Sequence, residues 1–269
     1  TNPRQTKLFL EQELGALPGQ DDVHAHGLAL AGRALLEIPA ERVGWHVAVR
    51  SELVQRLVQV LWQNPPATTV TARVEAGHVL GRLGDTLRFP GPYSLPQFAP
   101  IDGGTFWMGS EKAEVDQLVK ETGQEYYKDE LPRHKVELSP FAIARYPTTV
   151  AMFQHFVEAG GYQDERWWTE AKVAKVWRAD GTIKDRWSSQ PRTVPAYWDD
   201  VRLNGPNQPV VGVTWYEAVA YCRWLTVALD DGYEYHLPTE AQWERAARGP
   251  HGWSYPWGDQ WIEGRANSK

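Results

Sequence analysis

The sequence predicts an α+β protein in two parts: a helical segment over residues 1–95, then a domain of short strands, long loops and a few helices over 96–269. Three observations predict it. Apolar residues recur at helical spacing three times before residue 84, whereas beyond residue 100 short alternating runs are bounded by Gly and Pro. Twelve of the 14 Trp fall after residue 95, so the two parts differ in kind. Charge divides the same way: the first 95 residues balance nine Lys+Arg against nine Asp+Glu, and the remainder carries the whole net charge of −6.

In the first part, Leu28, Ala31, Ala34, Leu35 and Ile38 form one helical stripe, ended by Pro39. Leu53, Val54, Leu57, Val58 and Leu61 form a second, followed by Pro65-Pro66. Ala72, Ala76, Val79, Leu80 and Leu83 form a third, closed by Gly84-Asp85. Leu30-Ala31-Gly32 is echoed 45 residues on by Glu75-Ala76-Gly77. That spacing falls within the period of about 40–47 residues of paired-helix arrays. The phrase ARVEAGHVLGRLGD resembles the HEAT-like repeats of large bacterial signalling proteins. His24, His26 and His46 lack the spacing of a metal motif and read as surface or packing residues. Residues 86–99, with three Pro and a Gly, read as a linker or a packed crossover.

In the second part, Gly103-Gly104 is a turn signal and Thr105–Met108 a short strand. Glu111–Arg133 is a polar surface excursion. His134–Leu138 and Phe141–Tyr146 alternate as half-buried strands. Pro147-Thr148-Thr149 starts a helix carrying Val150, Phe153, Phe156 and Val157, which Gly160-Gly161 closes. Two further helix starts carry capping boxes, Thr214 with Glu217 and Thr239 with Gln242. The first of these helices places Trp215, Ala218, Val219, Cys222 and Leu225 on one expected buried stripe; the second places Trp243, Ala246 and Ala247 and stops at Gly249.

The order GGTFWMGS, DELPRHKVELSPFAIARYPTTVAMFQHFVEAGGY, QPVVGVTWYEAVAYCRWL, LPTEAQWERAARG, YPWGD and ANS resembles the formylglycine-generating enzyme (FGE-sulfatase) family over roughly residues 98–269. The resemblance implies a C-type-lectin-like fold, as in variable proteins diversified by retroelements. Frequent Trp fits that expectation, since loops without regular structure are held by buried aromatic area.

The resemblance also implies chemistry. Enzymes of the family oxidise a substrate cysteine to formylglycine with two late cysteines that bind copper. Here Cys222 is the only cysteine, which excludes an internal disulfide and a Cys-rich zinc site. It falls on an apolar stripe and reads as a core thiol. A second branch of the family holds iron with three histidines to make sulfur–carbon bonds, and the N-terminal region lacks the paired-His spacing for it. The resemblance implies a structural calcium with Asn267 as one ligand, its other ligands lying beyond Lys269; as a plain sequence reading, Asn267 is a turn residue. No other cofactor is expected.

Trp167, Trp168, Trp177, Trp187, Tyr197 and Trp198 concentrate in one stretch. They read either as anchors of a surface for a protein or small ligand, or as an insertion pinned by its own aromatics. Asp199-Asp200 and Asp230-Asp231 read as solvated loop charges. The acidic balance excludes a nucleic-acid face, and no apolar run approaches the ~20 residues of a membrane helix. With a lone thiol, the expected compartment is the cytoplasm. The chain starts at Thr1 without Met and ends at Lys269, so it is expected to be a piece of a larger protein with upstream domains. The expected function is therefore non-catalytic recognition within a bacterial sensor, signalling or diversified binding protein. The competing reading is an oxidase of protein cysteines whose catalytic cysteines lie outside these residues.

Overall fold

A computed structural model describes residues 22–38, 46–63, 68–185, 190–263 and 265–266, with positions 8 and 12. The chain divides into two compact units, Thr1–Gln97 with Tyr146–Tyr235, and Phe98–Arg145 with His236–Lys269. The fold is α+β, with short antiparallel strand pairs preceded by helices.

The first unit includes α1 (Asp22–Leu36), α2 (His46–Trp62) and α3 (Val70–Leu83). Each of these packs on the other two. Their core is aliphatic: Leu28, Leu35, Leu53, Leu57, Leu80 and Leu83 are all buried, as the three sequence stripes require. Gly32 stands where α1 meets α3, since a Cβ there would lie 2.4 Å from Val79 Cγ1. The Thr69 hydroxyl accepts from Ala72 N to start α3, and Gly84 ends it. Asp22 ties the two helices together by accepting from Thr69 N at 2.7 Å.

The same unit continues with α5 (Val150–Glu158), α6 (Thr169–Val173) and α7 (Trp215–Leu229); α4 (Lys112–Thr122) belongs to the second unit. Around α5 and α7 lies an aromatic core of Phe153, Phe156, Tyr162, Trp168, Tyr221 and Trp224. Phe89 and Leu95 from the proline-rich stretch are buried in it, so that stretch is a packed crossover. Asn207 lodges against α3, donating to Gly77 O at 2.9 Å and to Asp85 at 3.1 Å.

The second unit holds two antiparallel pairs. β1 (Phe98–Ile101) pairs with β4 (Phe141–Ala144), in register Phe98 with Ala144 through Ile101 with Phe141. β2 (Gly104–Met108) pairs with β3 (His134–Leu138), Gly104 with Leu138 through Met108 with His134. β1 occupies the end of the stretch expected to be linker. The polar excursion contains a helix, α4 (Lys112–Thr122), of which Val115 alone is buried. α8 (Glu240–Arg248) packs on β2 and β3.

Two expected stripes are displaced. α7 buries Glu217, Ala220, Tyr221, Trp224 and Leu225, while Trp215 is 56% exposed. Both sets keep helical spacing, but the capping carboxylate of Glu217 is drawn inward to the part-buried Arg192, which fixes the helix rotation. α8 buries Arg245 and leaves Trp243 64% exposed. Among the described residues, no helix is long and apolar enough to cross a membrane.

Candidate functional site

The most heavily bonded buried polar cluster among the described residues centres on Glu217, in the first turn of α7. Thr214 and Glu217 form the predicted capping box: Thr214 Oγ1 accepts from Glu217 N at 3.2 Å, and Glu217 Oε2 accepts from Thr214 N at 2.7 Å. The carboxylate is fully buried, and such a charge persists only if paired and hydrogen-bonded. Arg192 supplies the pairing as a two-pronged fork, Nη1 to Oε1 at 2.5 Å and Nη2 to Oε2 at 2.8 Å. Tyr162 donates its hydroxyl to Oε1 at 2.5 Å. Arg192 also reaches Asp185 at 3.1 Å and donates to Val194 O at 2.9 Å. Burial, reinforced by the Glu217 charge, pushes the Tyr162 phenol far above its ordinary range, so it stays a hydrogen-bond donor.

This arrangement fixes geometry rather than moving protons. Glu217 already accepts from Tyr162, Arg192 and its own cap, so it has no lone pair to spare as a base. It holds Tyr162 and Arg192 to the start of α7. Two indoles add to the hold. Trp168 Nε1 donates to Gly161 O at 2.9 Å, and Trp177 Nε1 donates to Tyr162 O at 2.8 Å. The two rings stack 6.5 Å apart.

Of the candidate anchors, Trp167, Trp168 and Trp177 lie in this core, and Trp198 is half-buried beside Phe153. Tyr197 is 54% exposed. As a surface for a partner, only Tyr197 and Trp198 among the described candidates have area to offer. Trp187 and Asn267, the expected calcium ligand, lie outside the described residues.

Sequence reasoning missed the Glu217–Arg192–Tyr162 cluster. The capping box signalled where Glu217 stands, but nothing local pairs it with a residue 25 positions earlier. One aspartate of each pair is hydrogen-bonded: Arg202 holds Asp200 down at about 2, and Asp231 accepts from Tyr235 Oη and Tyr233 N. His26 contacts Asp22 O and Glu75, and the His46 side chain lies outside the described residues. Among the described residues, no group of three or more His, Cys, Asp or Glu is arranged to hold a metal.

Cys222 packs against the aromatic core from α7, and burial pushes its thiol up to about 11. The family's copper is held by a pair of cysteines, and Cys222, packed against the core, is the one cysteine of the sequence. The residues present do not fit that ion.

Comparison with known proteins gives the relationship. The chain is 38% identical over 178 residues to the formylglycine-generating enzyme of Thermomonospora curvata, covering 60% of this chain and 52% of that protein. It is 34% identical over 140 residues to the hercynine oxygenase of Mycolicibacterium thermoresistibile, covering 49% of this chain and 28% of that one. It is 33% identical over 188 residues to the formylglycine-generating enzyme of Mycobacterium tuberculosis, covering 62% and 56%. The chain thus spans between about a quarter and a little over half of these relatives.

These relatives correct the expectation of a protein without catalysis. That expectation rested on the missing cysteine pair, which is a property of these 269 residues and leaves open the reaction of a protein they belong to. The relatives carry the names of enzymes. With residues 87–269 matching the FGE-sulfatase family, described as the Sulfatase-modifying factor enzyme 1-like domain, the chain belongs to that family.

Proposed function

We propose that the protein to which this chain belongs is an oxidase of the formylglycine-generating type, acting on a cysteine side chain of a polypeptide substrate. The observation that carries this reading is the alignment over 178 residues with a protein named formylglycine-generating enzyme, spanning half of that enzyme. The hercynine oxygenase match spans 28% of its counterpart, so the first activity is favoured. In this reading the described residues supply scaffold. The Glu217 cluster and the aromatic core hold the loops around α7 in place, and catalytic sites need such rigid support. Cys222 is a packing residue that takes no part in the oxidation.

The experiment is to incubate the whole protein, supplied with copper, with a cysteine-containing peptide library. Aldehyde is captured with an aminooxy probe and located by mass spectrometry. Formation of aldehyde at cysteine, undiminished in Cys222→Ala, is the expected result. Absence of aldehyde from a folded, copper-supplied protein across the library overturns the reading. Loss of turnover in a folded Cys222→Ala variant overturns the packing role of that thiol.

A further inference from the structure

One loop of the first unit closes on α3 through two neighbouring amides. Asn207 lodges between Gly77 and Gly81: its Nδ2 donates to Gly77 O at 2.9 Å and to Asp85 at 3.1 Å, and a Cβ on Gly81 would lie 2.2 Å from its Oδ1. The loop backbone then serves the start of α5. Gln208 O accepts from Val150 N and Pro206 O from Ala151 N, both at 2.9 Å, and Val210 N donates to Thr148 O at 2.9 Å. Val150 and Ala151 open α5, where amides have no partner within the helix. The loop therefore joins α3 to the first turn of α5.

Gln208 makes the second contact with α3. Its Oε1 accepts from Gly205 N at 2.7 Å, and its Nε2 donates to Arg202 O at 3.3 Å. These two backbone bonds fix which end of the amide is which. The same Nε2 lies 3.1 Å from His78 Nε2. The amide nitrogen is a donor, so the imidazole nitrogen facing it has to accept. That requires neutral His78 with its proton on Nδ1. A protonated ring would set N–H against N–H. Reversing the amide would set Gly205 N and Arg202 O each against a group of its own kind.

His78 is exposed, so its ring exchanges protons with the solvent directly. On its own helix it has Glu75 three residues before and Arg82 four after. Glu75 is engaged by Arg33 and His26 of α1, whereas Arg82 would stand as a like charge beside protonated His78. From α2, Arg50 donates to Leu83 O at 2.6 Å. Beyond α3, Arg88 donates to Asp85 at 2.7 Å, and in the loop Arg202 donates to Asp200 at 2.9 Å.

We propose that His78 and Gln208 form a proton-sensitive latch between α3 and the loop that starts α5. The latch is closed while His78 is neutral and opens as pH falls through the ordinary imidazole range, about 6.5. Asn207 holds the loop through bonds that need no histidine, so opening loosens the loop without releasing it. The latch is independent of the oxidase reading, because it uses no residue of the Glu217 cluster.

The test is hydrogen exchange of the whole protein at about pH 7.5 and about pH 5.5, on either side of the imidazole range. It is read at the amides of Val150, Ala151 and Val210 and normalised for the intrinsic pH dependence of exchange. Loss of one hydrogen bond is expected to raise opening about 2–10-fold at the lower pH. His78→Gln places a side chain that does not titrate there and is expected to abolish the pH response. His78→Lys carries its charge at both values and is expected to exchange at both as the wild type does at the lower pH. Asn207→Ala is expected to raise exchange at both values while keeping the pH response. A response equal in wild type and His78→Gln, no response in wild type, or wild-type protection of His78→Lys at the higher pH overturns the latch.

Discussion

Glu217→Gln isolates the charge at the centre of the buried cluster, because it preserves volume and one acceptor. In the wild type, two oxygens accept from the Tyr162 hydroxyl, the Thr214 amide and both Arg192 nitrogens. The amide replaces one oxygen with an NH₂ group. In either orientation that group faces donors, Tyr162 and Arg192 Nη1 on one side or Thr214 N and Arg192 Nη2 on the other. Removing one partner of a buried ion pair costs about 3–5 kcal/mol. Arg192 retains Asp185 at 3.1 Å and Val194 O, so the lower end, about 3 kcal/mol, is expected. For a chain of this length that corresponds to a fall in thermal midpoint of about 6–12 °C. Calorimetry and urea denaturation measure it. A double-mutant cycle with Arg192→Met then gives the coupling directly, expected to exceed about 1 kcal/mol for residues in one network. A Glu217→Gln variant within about 0.5 kcal/mol of wild type, or additive effects in the cycle, would refute the claim that this pair positions the loops around α7.

Two further outcomes follow from the packing of the same unit. Gly161→Ala is expected to destabilise by about 1–3 kcal/mol, because its Cβ would stand 2.1–2.6 Å from the ring of the fully buried Phe156; chemical denaturation checks it, and a neutral result means the ring can yield. Cys222 has its pKa raised from 9.0 to about 11, so at pH 9 an ordinary thiol is about half ionised and Cys222 about 1%. Iodoacetamide is therefore expected to modify it at least ~50-fold more slowly in the native protein than in urea. Because its folded pKa is the higher one, its contribution to stability is complete below pH 9 and is lost as pH rises through about 11. Equal native and denatured alkylation rates would refute the burial.

The helix starts were legible because caps are local. Thr149, Thr214 and Thr239 each accept from an amide three residues on, a spacing written in the chain. The three aliphatic stripes before residue 84 were legible for the same reason, since each repeats within one helix. α4 was missed although it carried a signal: Val115, Leu118 and Val119 at helical spacing, and Gly123 in the left-handed conformation at its end. The polar composition of that stretch obscured them. β1 was missed because its partner lies some forty residues on, and Phe98–Ile101 gains strand character from that pairing rather than from its own pattern.

The sequence by itself determined the family, through long ordered motifs, and the α+β class, through the contrast of helical and alternating periods. It also determined where helices begin, since the bonds that start them span three residues. Only the tertiary structure decided which face of α7 turns inward, because two stripes with the same helical spacing compete there. The choice fell to the side that brings Glu217 to Arg192, a contact between residues distant in sequence. The tertiary structure likewise buried Trp167, Trp168 and Trp177 while leaving Trp215 and Trp243 exposed. A tryptophan's burial depends on what packs against it, and no local pattern encodes that. Arg245 is the sharpest case: in sequence it is one more charge on an amphipathic helix, and only folding removes it from water with no described residue as its counter-ion.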